Sequence, residues 1–162
     1  MAITRQLSVK LLQRRTFLLG AGAAALIAAL LEAVPEARAG EQSADYKAAL
    51  GALLGQASPR PGGITLDLPD NVENGDHVPV ALAVDSPMTA ESHVKAIHLL
   101  STANPRAHVA TFRFTLLSGK ARVTSSMRLA KSQEVVAIAE LSDGTFLMTT
   151  RSVEVKIGGC GT

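Results

Sequence analysis

The sequence predicts an all-β fold, an antiparallel β-sandwich with a short N-terminal helix and a flexible C-terminal arm. Short segments in which apolar and polar residues alternate recur along the 162-residue chain from Ile64 onwards. Clusters of glycine, asparagine, aspartate and serine separate these segments, as turns separate strands. No long helical pattern lies between them, which disfavours parallel β-α-β packing. A series of short alternating strands is typical of a sandwich.

The first 39 residues have the order of an export signal. A basic stretch precedes an apolar run at 17–31, and Ala37-Arg38-Ala39 supplies the small residues of a cleavage site, placed after Ala39. The run is about fifteen residues, short of the roughly twenty that span a bilayer; a retained membrane anchor is the alternative. Arg14 and Arg15 stand just before a Phe-Leu pair and resemble the twin-arginine signal, which implies export of a folded protein to the periplasm.

Removal of this signal changes the charge of the chain. Of 16 basic and 14 acidic residues, positions 1–39 hold five and two, which leaves 11 and 12, a net charge of −1. The basic character therefore belongs to the signal, and we expect no nucleic acid among the partners and no membrane after cleavage. Few aromatic residues also argue against base stacking. About 120 remaining residues suggest one domain.

A short amphipathic helix is predicted after the signal. Ser43 is a suitable cap, and Tyr46, Leu50, Leu53 and Leu54 recur at helical spacing. This apolar face has two interpretations, packing on the domain or docking on a partner. The predicted organisation is a signal at 1–39, the helix and a linker at 40–62, the sandwich at 63–157 and a glycine-rich arm at 158–162.

Eight strands are predicted for the sandwich, at 64–68, 78–84, 95–101, 109–116, 121–129, 134–141, 145–150 and 152–157. Asn74-Gly75-Asp76 and Ser142-Asp143-Gly144 are predicted turns, and Ser118-Gly119-Lys120 a hairpin turn. The last strand matters most, because it leads directly into the tail of the chain.

The only cysteine of the chain, Cys160, lies in that tail between glycines. Gly158, Gly159 and Gly161 are predicted to form a swinging arm, since glycine is conformationally free and chain ends are poorly ordered unless tied down. A bulky residue at Gly159 is therefore expected to hinder partners without changing stability. A lone cysteine in an exported chain indicates intermolecular pairing or a reactive thiol.

Nothing near Cys160 in sequence is suited to activate its thiol. The terminal carboxylate disfavours the thiolate, and Lys156 is the nearest basic side chain. We therefore expect activation to come from basic groups in a partner's pocket, so that this chain is a carrier and not an enzyme.

Other candidate sites are weak. His77, His93, His98 and His108 lack metal-ligand spacing, and a structural role is expected for His98, in an apolar strand. No glycine-rich loop opens a helix after a strand, so nucleotide binding has no support. Metal ligands and catalytic residues are therefore predicted to be absent, with no cofactor of the chain's own.

The terminal Lys156-Ile157-Gly158-Gly159-Cys160-Gly161 resembles the end of the SoxY family, the sulfur carriers of the periplasmic thiosulfate-oxidising (Sox) system. The agreement extends to Arg128-Leu129-Ala130, residues 136–141, Asp143-Gly144, Asn104-Pro105, Asn74-Gly75, Val78-Pro79-Val80 and Asp85-Ser86-Pro87-Met88. The chain departs from the usual pattern at its end, where Thr162 replaces a glycine.

This resemblance implies an immunoglobulin-like sandwich that pairs with a second small protein, SoxZ. Cys160 would be the covalent attachment site, loaded with thiosulfate by a haem c-type cytochrome pair to give a cysteine S-thiosulfonate. A dimanganese hydrolase would remove sulfate, and a molybdenum-haem sulfane dehydrogenase would oxidise the remaining sulfur. The haem, manganese and molybdenum would belong to these partners.

Two other functions are weighed against the carrier. Cys160 would link two copies in a structural module through an interchain disulfide, or it would serve a metal chaperone or redox donor. The first needs no flanking glycines, and the second needs more ligands than one thiolate.

Overall fold

The structure, a computed structural model, describes residues 42–159. The predicted signal at 1–39, with Arg14 and Arg15, lies outside these residues, as do Cys160 and Gly161. Within them, no helix is long and apolar enough to cross a membrane.

Helix α1 (Ala44–Leu54) begins where the sequence predicts it. The Ser43 side chain accepts a hydrogen bond from the amide of Tyr46 at 3.1 Å, which caps the helix. Asp45 in the first turn accepts a bond from the amide of Ala107 at 2.6 Å and so ties the helix to a loop. Of the two interpretations of its apolar face, packing on the domain is the one observed.

Nine strands follow among residues 42–159: β1 (Arg60–Pro61), β2 (Ile64–Asp67), β3 (Asn71–Asn74), β4 (Val78–Val84), β5 (Val94–Ser101), β6 (His108–Arg113), β7 (Ala121–Met127), β8 (Gln133–Leu141) and β9 (Phe146–Ile157). A larger sheet has the order β1-β9-β8-β5-β6, and β3 also pairs with β9. A smaller sheet has the order β2-β4-β7. The predicted all-β sandwich is therefore confirmed.

The core lies between the two sheets. It is built from residues that alternate inward along each strand, such as Val80 and Leu82 of β4 and Val135 and Ala137 of β8. A second apolar cluster lies on the outer face of the larger sheet, where Tyr46 of α1 packs with residues of β5 and β8. The domain thus has three layers, with α1 covering part of one outer face.

Three local predictions are wrong. The residues predicted as two strands at 145–150 and 152–157 form the single twelve-residue strand β9. Ser118-Gly119-Lys120 does not close a hairpin, because β6 and β7 belong to different sheets and a 3₁₀ helix (Leu116–Ser118) joins them. The short strands β1 and β3, which pair parallel with β9, were not predicted.

Candidate functional site

The last strand, β9, which leads into the tail, is held by hydrogen bonds on both of its sides. Along its C-terminal half, β9 pairs with β3 in parallel, with Asn74 opposite Ile157. On the other side, the amide of Val155 donates to the hydroxyl of Ser132 at 2.9 Å. The strand is therefore fixed up to Ile157, the residue before the glycine pair.

A junction of three backbone hydrogen bonds continues this anchoring into the glycines. The amide of Gly75 donates to the carbonyl of Ile157 at 2.8 Å, and that of Leu129 donates to the carbonyl of Gly75 at 2.8 Å. The amide of Gly159 donates to the carbonyl of Leu129 at 2.9 Å, and Gly159 is buried. We call these three bonds the tail junction.

The tail junction needs glycine for close approach of the backbones. A Cβ atom at Gly158 would lie 2.0 Å from the carbonyl oxygen of Ala130, and one at Gly159 would lie 2.6 Å from that of Gly75. A Cβ atom at Gly75 would lie 2.1 Å from the carbonyl oxygen of Leu129. All three distances are below those that real Cβ atoms show. The expectation that bulk at Gly159 leaves stability unchanged does not fit these contacts.

The side chain of Asn104 holds the loop that contains Leu129. Its amide nitrogen donates to the carbonyl of Arg128 at 2.8 Å, and its oxygen accepts from the amide of Ala130 at 2.9 Å. Gln133 donates to the same oxygen at 2.7 Å. Leu129, the centre of the tail junction, therefore lies between two residues held by one side chain.

Lys156, the nearest basic residue to Cys160 in sequence, is occupied. Its ammonium group forms an ion pair with Glu73 at 2.6 Å on the surface. Because β3 and β9 run parallel, the two side chains extend from neighbouring strands. The charge of Lys156 is therefore paired with that of Glu73.

Of the histidines, the structure brings His98 and His108 together on the outer face of the larger sheet. His98 Nδ1 and His108 Nε2 both lie within 3.0 Å of the Thr111 hydroxyl. Burial lowers the pKa of His98, and His108 and Arg113 act in the same direction, against Glu140. Between residues 42 and 159, no three His, Cys, Asp or Glu side chains are placed to hold a metal.

Asp143 has a local role in the turn between β8 and β9. Its carboxylate accepts hydrogen bonds from the amide and hydroxyl of Thr145 at 2.9 and 2.7 Å, and these bonds lower its pKa. This is the arrangement of an Asx turn, as the sequence predicts.

Sequence reasoning missed the roles of Asn104 and Gly75 in the tail junction. In the sequence, Asn104-Pro105 stands only as part of the resemblance, and Asn74-Gly75 as part of the resemblance and of a turn. Their role depends on hydrogen bonds between residues far apart in the sequence, and the spacing of residues along the chain does not reveal such bonds.

The fold and the tail junction define a class: a small β-sandwich whose last strand leads through packed glycines to a single cysteine. The family model of the sulfur oxidation protein SoxY matches residues 50–160, and the match ends at that cysteine. The chain belongs to the SoxY family, as its terminal motif predicts.

Solved structures agree with this assignment. The sulfur carrier protein SoxY from Chlorobium limicola f thiosulfatophilum is 29% identical, with a TM-score of 0.58, over 71% of this chain and 100% of that one. A superoxide reductase (neelaredoxin) from Ignicoccus hospitalis is 18% identical over 67% and 90%, with a TM-score of 0.52. One from Nanoarchaeum equitans is 11% identical over 59% and 100%, with a TM-score of 0.51. The two reductases show the fold alone. No curated protein sequence matches the chain.

Proposed function

We propose that the chain is a periplasmic sulfur carrier that binds thiosulfate-derived sulfur covalently on Cys160 and presents it to the enzymes of the Sox pathway. The observation that carries this proposal is the SoxY family match, which runs through the sandwich and ends at Cys160. The match to the Chlorobium sulfur carrier, which extends over 100% of that chain, supports it.

The proposed chemistry divides the work between this chain and its partners. A thiolate at Cys160 joins the outer sulfur of thiosulfate, and the two electrons released pass to the haem groups of a c-type cytochrome partner. Water then cleaves the terminal S–S bond of the adduct, which releases sulfate and two protons and leaves a persulfide on the cysteine. A dimanganese partner catalyses that hydrolysis, and a sulfane dehydrogenase oxidises the persulfide.

The tail junction bears on the carrier proposal because it sets how far Cys160 can extend from the sandwich. The bonds of Gly75, Leu129 and Gly159 fix the base of the tail as far as Gly159, which directly precedes Cys160. One residue of extended chain adds about 3.5 Å of reach to this fixed point. A carrier with so short a reach requires its partner enzymes to come close to the end of the sandwich.

The family also supports Sox partners for this chain, with SoxZ as the proposed heterodimer partner and twin-arginine export as the proposed route to the periplasm. We propose that the chain has no cofactor of its own and is not itself an enzyme. In this arrangement the haem, manganese and molybdenum remain with the partner enzymes.

Mass spectrometry of the mature protein tests the proposal. After incubation with thiosulfate and the cytochrome partner, we expect the C-terminal peptide to gain one thiosulfonate group, and Cys160→Ser to gain none while its melting curve stays unchanged. Loading of the Ser variant would contradict the proposal. A permanent dimer that only a reductant separates, with no loading of the monomer, would favour the interchain disulfide instead.

A further inference from the structure

The charges of the described chain are strongly segregated along the sequence. Between Ser92 and Gln133 there are seven Lys and Arg residues and no Asp or Glu. Residues 42–91 and 134–159 together hold four basic and eleven acidic residues. The seven basic residues are Lys95, Arg106, Arg113, Lys120, Arg122, Arg128 and Lys131. Among the described residues, only Lys95 of these seven forms an ion pair, with Glu140.

Two strands of this basic segment at 92–133, β6 and β7, form one open side of the sandwich, whereas β5 is paired on both sides. Of the described strands, β6 pairs only with β5 and β7 pairs only with β4, so each is the edge of its sheet. The other edge of the smaller sheet, β2, lies against β9 and β8, which places β7 on the side of β6. Both edges therefore turn unpaired backbone groups outward on the same side.

Exposed apolar side chains lie at the connection between these two edges. In the 3₁₀ helix, Leu117 is 98% exposed and Leu116 is 46% exposed. Phe112 and Phe114 beside them are only half buried. Positive charge alone would protect an edge strand from aggregation, but it does not explain two leucines presented to solvent.

We propose that this basic edge, formed by β6, the 3₁₀ helix and β7, docks an acidic protein surface that has an apolar recess for Leu117. The unpaired backbone groups favour a protein over a lipid surface, because a strand of a partner satisfies them and lipid does not. The exposed leucines disfavour nucleic acid, because an apolar side chain has no favourable contact with a phosphate backbone. A symmetric dimer is disfavoured, because it would place the same positive patch on both sides of the interface.

The basic edge extends to the end of the sandwich where the tail leaves. Arg106 and Arg128 flank the Asn104 support, and Leu129 accepts the bond from Gly159. The 3₁₀ helix with Leu117 lies before the start of β7, and the tail junction lies beyond its end, so only a protein that docks along the whole strand would also lie beside the tail. This inference goes beyond the proposed function, but the choice of probes rests on it.

Binding measurements with SoxZ and with each Sox enzyme of the same source, taken one at a time, test the basic edge. For the tightest-binding probe, we expect Leu117→Ser combined with Arg113→Glu and Arg122→Glu to weaken binding at least about tenfold, with binding to the unmodified chain falling steeply as salt rises. Leu117→Ser alone, at a fully exposed position, serves as the variant safest for folding.

A matched charge reversal away from the edge, Lys47→Glu with Arg60→Glu, is expected to change affinity less than about twofold. Hydrogen exchange should slow at β6 and β7 in the complex. Unchanged affinity of the edge variant would overturn the proposal, as would binding by none of the probes, self-association through the edge, or edge-dependent binding to DNA or anionic vesicles instead. Loading of Cys160 in the unmodified chain, measured separately, shows whether the carrier function itself has failed.

Discussion

Gly159 is held by its backbone, and that constraint, more than freedom of movement, explains why a glycine is needed there. Its amide donates to Leu129, and the place of a Cβ atom is taken by the carbonyl group of Gly75 and the amide of Asp76. Any side chain at this position must push one backbone segment away from another. The residue before the cysteine is therefore part of the scaffold.

Gly159→Ala should destabilise the tail junction. We expect a loss of about 1–3 kcal/mol from overpacking, or a detached tail with faster alkylation of Cys160. Thermal unfolding and the exchange rate of the Leu129 and Gly159 amides measure these effects. Gly51→Ala is the matched control, since nothing lies within 4 Å of a Cβ there, and it should stabilise the helix by about 0.5–1 kcal/mol. Equal melting temperatures for both variants would contradict the close approach at Gly159.

His98 makes a second residue-level prediction, on pH. Its Nε2 is buried without a partner between residues 42 and 159, and burial lowers its pKa. Below about pH 6.5 the unfolded chain binds a proton at this histidine that the folded chain resists. Stability should therefore fall as pH drops through 6.5, and the loss should level off below the lowered folded pKa. His98→Phe should remove this part of the pH dependence of melting; an identical profile in both proteins would refute the role of His98.

Among the elements, α1 has a structural role that the sequence left undecided. Tyr46 is 4% exposed and packs in the outer cluster with Leu100 and Ile138. Burial and the nearby Glu134 raise the pKa of its phenol. The helix thus covers apolar surface of the larger sheet, and its buried face is closed to a partner.

Tyr46→Ala should detach α1 from the larger sheet. Removal of a large buried aromatic ring costs about 3–5 kcal/mol, and the exposed outer cluster should bind a hydrophobic dye. Chemical denaturation measures the cost, with exposed Lys47→Ala as the control in the same turn. A loss no greater than that of the control would place the helix off the sheet in solution.

The strands show how far sequence patterns reach. Alternation predicts β4 with its observed bounds, because one face of that strand is buried and the other is at least partly exposed. The same reasoning divides β9 in two at Arg151, an exposed residue whose side chain pairs with Asp70 on the surface. It also read the residues at 118–120 as a hairpin, since a turn signal is local and does not specify which sheet the next strand joins.

The candidate site divides in the same way. The cysteine and its glycines are visible in sequence because their types and spacing are unusual. The tail junction is not visible, because it depends on segments far apart in the chain. The distance of only 2.1 Å between a Cβ atom at Gly75 and the carbonyl oxygen of Leu129 is a property of the folded backbone.

Across the whole molecule, three loops distant in sequence meet at the end of the last strand. Residues 74–77, 103–107 and 128–132 are joined there through Asn104 and Leu129. Asn104 therefore acts on the tail indirectly, by holding the residues on either side of Leu129. Loss of its side chain should weaken the hydrogen bond between Leu129 and Gly159.

Asn104→Ala tests this coupling. It removes the bonds to Arg128, Ala130 and Gln133, and unpaired groups left at a partly buried site cost about 1–3 kcal/mol. We expect faster hydrogen exchange at Leu129 and Gly159 and faster alkylation of Cys160, with strands β5 and β8 protected as before. Exposed Asn71→Ala, in β3, is the matched control and should leave all three rates unchanged. If Asn104→Ala lowers the melting temperature while exchange at Gly159 stays the same, the tail is anchored independently of this loop.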